Sequence, residues 1–204
     1  MRRVIKRNTN TALNTMKSPL RIGIIGGGQL GKMMAQSAKK LGFFVTIVDP
    51  TPQSPAGQVA DKQIIAPYND KNSVLELAKL SDVITVEVEV NDEEGLQGLL
   101  ENIVKQGTPV QPSPATFRIV QDKLKQKEFL KKSNIPTADF IEVTFENEIK
   151  EAAEKLGYPL LLKARTGAYD GKGNFFIENQ EDIEKWLEKL RNRKLYVEKF
   201  VPFT

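Results

Sequence analysis

A glycine-rich segment, Lys163 to Asn174, constrains the fold of this chain more than any other feature. It lies between two short apolar runs, Tyr158–Leu162 and Phe175–Ile177, which predict two strands joined by a hairpin. Glycines permit positive φ angles and a close approach of the backbone to a ligand, and successive N–H groups in such a loop can form a concave anion site. The segment contains Gly167, Gly171 and Gly173 together with the cations Lys163, Arg165 and Lys172. This pattern predicts a lid over nucleotide phosphates, and the alternative is an ordinary hairpin whose charges face water.

Composition narrows the possible chemistry. The 204 residues include no cysteine and no histidine, so disulfides, zinc–thiolate sites and a histidine general base are excluded. Any catalysis has to use carboxylates, lysines, arginines, backbone dipoles or a bound metal ion. No apolar run approaches the about 20 residues that cross a bilayer, so we expect no membrane partner.

The positive charge is concentrated in the first 19 residues. The chain carries a net charge of +4, but five cations and no acid precede residue 20, which leaves 25 cations against 26 acids in the remainder. A nucleic-acid-binding fold would carry its charge on the folded surface, so we expect no nucleic-acid partner. We interpret residues 1–19 as a disordered basic tail, with organelle targeting or a natural start at Met16 as alternatives.

The next segment has the pattern of a βαβ unit. A predicted strand, Leu20–Ile25, runs into Gly26–Gly31, which has G-x-G-x-x-G spacing and opens a helix that extends to Leu41. A second predicted strand, Phe43–Val48, ends at Asp49, where a dinucleotide fold places its ribose-binding carboxylate. The alternatives are a nicotinamide or flavin site and glycines that only allow close packing of strand and helix. The apolar side of the helix is expected to include Met33, Met34 and Ala38.

The alternation of strands and helices continues to residue 111. Residues 63–65 and 82–90 predict strands, and residues 107–110 a last short strand. Glu87 and Glu89 lie two apart near the carboxyl end of the second of these strands, where open α/β sheets bind ligands, or they face water on an edge strand. Two amphipathic helices separate the strands: one capped by Asn69 or Asp70 with Val74, Leu77 and Ala78 on one side, and one with Leu96, Leu99, Leu100 and Ile103. Residues 20–111 therefore predict a Rossmann-like parallel α/β domain with right-handed crossovers.

A rigid Pro-rich joint, residues 111–114, precedes a second domain, which we place at 112–204. Two helices are predicted over 115–120 and 121–130, then a strand at 139–143, and later a helix that ends at Gly157 and another capped by Asn179. Trp186 has the helical spacing of a core residue rather than a stacking platform. A final strand covers 194–203, and a domain that stops on such a strand suggests that the native polypeptide continues. The lysines of the second helix are interpreted as mostly a solvated face: Lys123, Lys125, Lys127, Lys131 and Lys132.

Several segments together resemble the ATP-grasp family. The resemblance covers almost everything after Leu20, and the tyrosine-bearing glycine loop is its most diagnostic part. Within the family, the chain is similar to the branch that carboxylates aminoimidazole ribonucleotide in purine biosynthesis. The matching segments, in family order, are Gly26–Gly31, Asp49–Pro50, Gln58–Asp61, Pro112–Pro114, Gln121–Lys123, Lys163–Gly173 and Glu198–Phe203.

The resemblance implies a role for specific residues. The glycine loop of the first domain would hold the ribonucleotide, with Tyr169 and Asp170 of the lid facing it. Lys163, Asp170 and Lys172 would be catalytic. The substrate-binding residues would be Gly28, Gln29, Leu30, Glu87 and Tyr169. The ATP-binding residues would be Lys123, Lys163, Ala168, Tyr169, Asp170, Gly171, Lys172, Gly173, Asn174, Glu198, Lys199, Phe200 and Val201.

The resemblance also implies a two-step reaction. ATP phosphorylates bicarbonate to carboxyphosphate, and the amine of the ribonucleotide then takes the carboxyl group. The expected cofactors are ATP and Mg²⁺, with the metal ligands in a second lobe that follows Thr204 in family members. We therefore expect a cytoplasmic fragment, inactive alone, whose native form is a possible homodimer. Val88 and Val90 depart from the family pattern. The competing hypotheses are an NAD(P)-binding oxidoreductase and a non-catalytic nucleotide-binding fragment.

Overall fold

A computed structural model describes residues 19–88, 95–167, 173–187 and 193–202. The chain divides into two compact units between Pro114 and Ala115. Each unit has its own four-stranded sheet, parallel in the first and antiparallel in the second. This arrangement confirms the predicted fold class, a Rossmann-like parallel α/β domain followed by an α+β lobe. The predicted boundary between residues 111 and 112 stays a prediction.

The first unit alternates strands and helices. Its sheet has the order β3-β2-β1-β4, and Val110 forms a parallel bridge to Ile84 beside β4. Parallel neighbours joined through helices are typical of a doubly wound α/β sheet. The elements are β1 (Arg21–Ile25), α1 (Gln29–Lys40), β2 (Phe44–Val48), β3 (Lys62–Ile64), α2 (Lys71–Leu80), β4 (Val83–Val86) and α3 (Leu96–Lys105).

Helix α1 packs against the sheet through small residues. Its buried positions are Gly31, Ala35 and Ala38, which recur at helical spacing. The prediction that Met33 belongs to the buried side was wrong, because Met33 is 54% exposed. Small side chains let the helix approach β1 and β2 closely. Met33 lies two residues from both Gly31 and Ala35, about half a helical turn away, and therefore on the outer face. Helix α2 begins as predicted, with Asp70 accepting a hydrogen bond from the Ser73 amide.

The second unit is an antiparallel sheet with helices before and between its strands. The sheet order is β5-β8-β6-β7. The elements are α4 (Pro114–Val120), α5 (Lys123–Lys132), β5 (Phe140–Val143), α6 (Glu146–Leu156), β6 (Leu160–Ala164), β7 (Asn174–Ile177), α7 (Gln180–Leu187) and β8 (Leu195–Lys199).

The two faces of this sheet differ in chemistry. Leu160, Leu162 and Ala164 of β6 lie in a buried apolar cluster to which α6 and α7 contribute. Residues one position along each strand point to the opposite face, where charged side chains gather. Trp186 packs against the apolar cluster, as its helical spacing predicted. The caps at Asn179 and Gly157 are also confirmed, since Asn179 accepts from the Glu181 amide and Gly157 ends α6 at φ +70°.

The predicted hairpin strands are shifted along the chain. Strand β6 extends through Lys163 and Ala164, and Lys163 lies opposite Asn174 in its pairing with β7. Lys163 therefore belongs to a strand rather than to the loop. Pro159 has no N–H group to donate, and the regular strand begins at Leu160.

Candidate functional site

The glycine loop of the first unit lies where β1 meets α1. Gly26 has φ +105°, a conformation that favours glycine, and its amide donates to the Val48 carbonyl at 3.0 Å. A Cβ added to Gly31 would lie 2.6 Å from the Gly26 carbonyl oxygen, so helix and loop touch at this point. Gly28 is the N-cap of α1, and no side chain in the part of the chain that the structure describes caps the helix there. The backbone amides at the start of α1 therefore remain available to a polar ligand.

Asp49 holds this loop from the end of β2. Its carboxylate accepts hydrogen bonds from the Gly27 amide at 2.8 Å, the Thr51 amide at 2.8 Å and the Tyr68 hydroxyl at 3.1 Å. Burial, together with the charges of Asp49 and Glu87, raises the pKa of Tyr68 to about 12, so the hydroxyl remains a donor at neutral pH. Asp49 is only 4% exposed, and its internal partners do not favour the ribose-binding alternative.

Glu87 lies against the same loop. A Cβ added to Gly28 would come within 2.9 Å of Glu87 Oε1, and one added to Gly26 within 2.5 Å of Oε2. The Glu87 amide donates to the Ile25 carbonyl at 2.8 Å, which fixes the residue beside β1. Gln29 and Leu30, the first residues of α1, are exposed. The fold thus brings together the predicted substrate-binding residues of this unit: Gly28, Gln29, Leu30 and Glu87.

A lysine–carboxylate cluster occupies the polar face of the second sheet. Lys163 lies opposite Tyr196 in the β6–β8 pair, so Glu198 is its diagonal neighbour on the same face. Glu198 Oε2 accepts a hydrogen bond from the Lys163 ammonium at 3.1 Å, and Oε1 accepts one from the Lys127 ammonium at 2.8 Å. Lys127 also donates to the Thr137 hydroxyl at 2.7 Å. We call these four residues, Glu198, Lys127, Lys163 and Tyr196, the Glu198 cluster.

The Glu198 carboxylate stays charged in this cluster although it is buried. The side chains of Glu198, Lys127 and Lys163 are 10%, 18% and 17% exposed. Burial alone would raise the pKa of Glu198, but the hydrogen bond from Lys127 and the charge of Lys163 outweigh it, and the pKa is lowered. Burial and the neighbouring Glu198 raise the pKa of Tyr196, whose hydroxyl lies 3.4 Å from Glu198 Oε2. The carboxylate is therefore ionised at neutral pH.

Arg165 is a structural ion-pair residue rather than a free cation of the loop. Its guanidinium donates to both oxygens of Asp122, with one contact at 2.6 Å, and also pairs with Glu142. Asp122 caps α5 by accepting from the Leu124 amide at 3.0 Å. Strand alternation places Arg165 beside the N-terminus of α5, where these carboxylates match its charge, and its contribution of positive charge to the loop stays a prediction. There the Lys123 amide donates to the Arg165 carbonyl at 2.9 Å.

The remaining predicted ATP-binding residues fall at the start of α5, at the start of β7, at or after the end of β8, or beyond the described ranges. The Lys199 ammonium donates to the Gly157 carbonyl at 2.9 Å, and the Phe200 ring meets Phe176 edge to face. Val201 is 56% exposed. Gly173 and Asn174 close the hairpin at the start of β7. Outside the described residues are Ala168, Tyr169, Asp170, Gly171 and Lys172, and also Glu89, so their predicted roles stay predictions.

Lys127 is the residue that the sequence interpretation missed. It was assigned to a solvated helix face, yet its ammonium is bound to Glu198. The partners are 71 positions apart, so no local pattern joins them. One signal was present: Lys127 follows Lys123 by one helical turn, and residues four apart share a helix face.

The fold and the charged side chains of the site together indicate a class of nucleotide-binding protein. A Rossmann-like unit with a glycine loop precedes an α+β lobe whose sheet carries paired lysines and a carboxylate on one face. The sequence matches the ribonucleotide synthetase preATP-grasp domain over residues 19–121 and the ATP-grasp domain over residues 128–204. The chain therefore belongs to the ATP-grasp family.

Particular relatives share both units. The N5-carboxyaminoimidazole ribonucleotide synthase of Bacillus subtilis is 40% identical over 183 residues, 89% of this chain and 47% of the relative. The phosphoribosylaminoimidazole carboxylase of Candida glabrata is 41% identical over 185 residues, 89% of this chain and 32% of the relative. The chain thus spans about half the length of the synthases and about a third of the carboxylases that it matches.

Solved structures agree with the sequence matches. The N5-carboxyaminoimidazole synthetase of Staphylococcus aureus complexed with ADP has a TM-score of 0.83 at 36% identity, covering 91% of this chain and 48% of its own. The Aspergillus clavatus synthase in complex with ADP and 5-aminoimidazole ribonucleotide has a TM-score of 0.80 at 36% identity, covering 91% and 47%. Among the residues that our structure describes, no helix has the length and apolar character to cross a membrane.

Proposed function

We propose that this chain supplies the ribonucleotide-binding unit and the first nucleotide-binding lobe of an enzyme that carboxylates aminoimidazole ribonucleotide with ATP and bicarbonate. The proposed route phosphorylates bicarbonate to carboxyphosphate, and the amine of the ribonucleotide then takes the carboxyl group. This would place the protein in de novo purine biosynthesis, in the cytoplasm.

The Glu198 cluster is the observation that carries the proposal. Two lysines converge on one carboxylate on the polar face of an ATP-grasp lobe. Phosphoryl transfer asks chiefly for positioning and neutralisation of charge, which lysine ammonium groups provide without histidine or cysteine. In this proposal Lys163 and Lys123 contact phosphate oxygens, and Glu198 accepts a hydrogen bond from the amino group of adenine. Lys163, Asp170 and Lys172 keep the catalytic roles proposed from the resemblance, with Ala168–Asn174 as the lid.

The glycine loop supports a ribonucleotide over a dinucleotide. Asp49, the carboxylate that would bind the ribose of a dinucleotide, already accepts hydrogen bonds from the Gly27 and Thr51 amides and the Tyr68 hydroxyl. Aminoimidazole ribonucleotide carries one phosphate, and it also carries hydroxyl and amino groups that can donate to Glu87. The proposed contacts are therefore Gly28, Gln29 and Leu30 at the phosphate and ribose, and Glu87 at a donor group of the ligand.

Mg²⁺ is proposed only as an ion that binds together with ATP and would neutralise its phosphate charge. Within the described ranges no group of three or more acidic, histidine or cysteine side chains could hold a metal ion. These residues do not fit a metal site, so we assign no ligands and derive no step through the ion. A homodimer is likewise proposed from the resemblance alone.

Calorimetry with ADP, NADH and aminoimidazole ribonucleotide tests the assignment on the 204-residue chain. We expect ADP to bind more tightly than NADH, and Lys163→Met to weaken ADP by about tenfold or more, since it removes a charge-assisted contact. Glu87→Gln should weaken the ribonucleotide and leave ADP unchanged. Lys155→Met, an exposed lysine of α6, is the matched control for the loss of one charge.

The oxidoreductase hypothesis predicts the opposite pattern. NADH would bind more tightly than ADP, and Gly28→Ala would weaken it whereas Lys163→Met would not. That result would overturn the ligase assignment. Binding of ADP without any binding of the ribonucleotide would support instead a nucleotide-binding fragment with a different substrate.

A further inference from the structure

The two lysines on Glu198 are held unequally. Lys127 contacts Oε1 at 2.8 Å and is fixed a second time by the Thr137 hydroxyl at 2.7 Å. Lys163 contacts Oε2 at the longer distance of 3.1 Å. Oε2 also has a neutral partner, because the Tyr196 hydroxyl lies 3.4 Å away. Lys127 thus has two hydrogen-bond partners. If Lys163 leaves Oε2, the Tyr196 hydroxyl can still donate to that oxygen.

The cluster also contains more positive than negative charge. One carboxylate faces two ammonium groups, although a single cation with good hydrogen bonds suffices to compensate a buried carboxylate. If Lys163 turns away, Oε1 keeps Lys127 and Oε2 keeps the Tyr196 hydroxyl. If Lys127 is missing, Lys163 becomes the one cation of the cluster, and its departure would leave Glu198 buried without a counter-charge.

We propose that Lys127 is a positioning residue that holds Glu198 and thereby frees Lys163 to leave the carboxylate for the polyphosphate of a nucleotide. This inference rests on the proposed function, since it deepens the role of the same site. In the free chain Lys163 is paired with Glu198, and the anionic ligand replaces that carboxylate as its partner. Lys127 makes the exchange possible without contacting the phosphates itself.

The ratio of the adenosine Kd to the ADP Kd measures this exchange, because it isolates the contribution of the phosphates. In Lys127→Met the carboxylate competes for Lys163, and we expect the ratio to fall about tenfold, as for loss of one charge-assisted contact. Lys127→Arg should keep the ratio, because it restores a cation. Lys132→Met, an exposed lysine of the same helix, should also leave it unchanged.

The double variant Lys127→Met/Glu198→Gln separates positioning from a direct contact. With Glu198 neutral, no carboxylate retains Lys163, so the ratio should return to the wild-type value. A ratio that stays low in the double variant means that Lys127 touches the phosphates, which overturns the inference. An unchanged ratio in Lys127→Met alone overturns it as well.

Thermal unfolding tests the same inference if the chain binds neither adenosine nor ADP, a result that would count against the proposed function. Trp186 is the only tryptophan in the sequence, so its fluorescence reports the second unit. We expect Lys127→Met and Lys163→Met each to lower Tm by about 5 °C, and the double variant by about 15 °C or more. Simply additive losses would show that neither lysine compensates for the other, and the inference would fail.

Discussion

The two units each bury a carboxylate at the place where a ligand is expected, and they satisfy it in different ways. Asp49 in the first unit is held by neutral donors: two backbone amides and the Tyr68 hydroxyl. Glu198 in the second is held by two side-chain cations, Lys127 and Lys163. Backbone amides cannot leave without unfolding the loop, whereas lysine side chains can change partners. The first carboxylate therefore shapes a binding surface, and the second can take part in ligand exchange.

A third buried carboxylate sharpens this contrast. Asp122 combines both modes, since it accepts from the Leu124 amide and pairs with Arg165 through both oxygens. Burial by itself would raise the pKa of Asp122, but the hydrogen bonds and charge of Arg165 outweigh it and lower the pKa. This pair ties β6 to the start of α5, so it fixes the two elements that carry Lys163 and Lys127.

Removing Arg165 should have the largest effect on stability. Arg165→Met leaves Asp122 buried at 5% side-chain exposure without its counter-charge, and breaking such a pair costs about 3–5 kcal/mol. Urea unfolding followed by Trp186 fluorescence measures the loss. Arg193→Met, at an exposed position before β8, should change the free energy of unfolding by less than about 0.5 kcal/mol. A loss below about 1 kcal/mol for Arg165→Met would show that the α5 amides alone satisfy Asp122.

Substituting Asp49 in the first unit should have the second-largest effect on stability. Asp49→Asn removes the charge and turns one acceptor into an NH₂ group, so at least one of the three donors loses its partner. We expect a loss of about 2–3 kcal/mol, seen as faster hydrogen exchange of the Gly27 amide. Glu76→Gln breaks the exposed pair with Lys62 and serves as the control. Wild-type protection of Gly27 in Asp49→Asn would contradict the proposal that Asp49 shapes the loop.

The sequence predicted the parts of this contrast that depend on local patterns. The βαβ unit, the Asp70 cap and the helix end at Gly157 follow from periodicity and cap chemistry, and the structure has them. The end of β6 was missed because its continuation through Lys163 and Ala164 depends on pairing with β7 and β8. Met33 was misplaced because it lies on the helix face opposite the buried Gly31 and Ala35, whereas its neighbour Met34 packs against the core.

The candidate site was less predictable because its contacts are tertiary. Glu198, Lys163 and the glycine loop could be named from motifs. The pairing of Lys127 with Glu198, and of Arg165 with Asp122, joins residues 71 and 43 positions apart. Charge patterns along one helix do not say which lysine will meet a carboxylate from a distant strand. The register of β6 against β8 brings Lys163 and Glu198 to one face, whereas Lys127 and Asp122 come from α5 and its N-cap.

Acidification should destabilise the second unit through protonation of Glu198. The loss of stability should be smaller than that caused by Arg165→Met or Asp49→Asn. Its pKa in the folded chain lies below the ordinary 4.5, so its contribution is complete above that pH and is lost as the pH falls through the folded value. The urea midpoint of Trp186 fluorescence should be level above that pH and fall below it. Glu198→Gln should flatten this fall, whereas Glu154→Gln, at an exposed position of α6, should not. An equal fall in Glu198→Gln would assign the pH dependence to another carboxylate of this unit whose pKa is lowered, Asp122 or Glu148.

The smallest predicted effect concerns Tyr68, the one side chain within the described ranges that donates to Asp49. Tyr68→Phe removes the hydroxyl and leaves both backbone amides in place, so we expect a loss of about 1 kcal/mol and an about fivefold rise in Gly27 amide exchange. The wild-type chain should also lose stability as the pH rises above the ordinary tyrosine value of 10.0 toward about 12, because the unfolded chain ionises first. That loss should be reduced in Tyr68→Phe. If Tyr68→Phe instead matched Asp49→Asn in magnitude, the hydroxyl rather than the amides would hold Asp49, and the contrast with the exchangeable lysines of Glu198 would disappear.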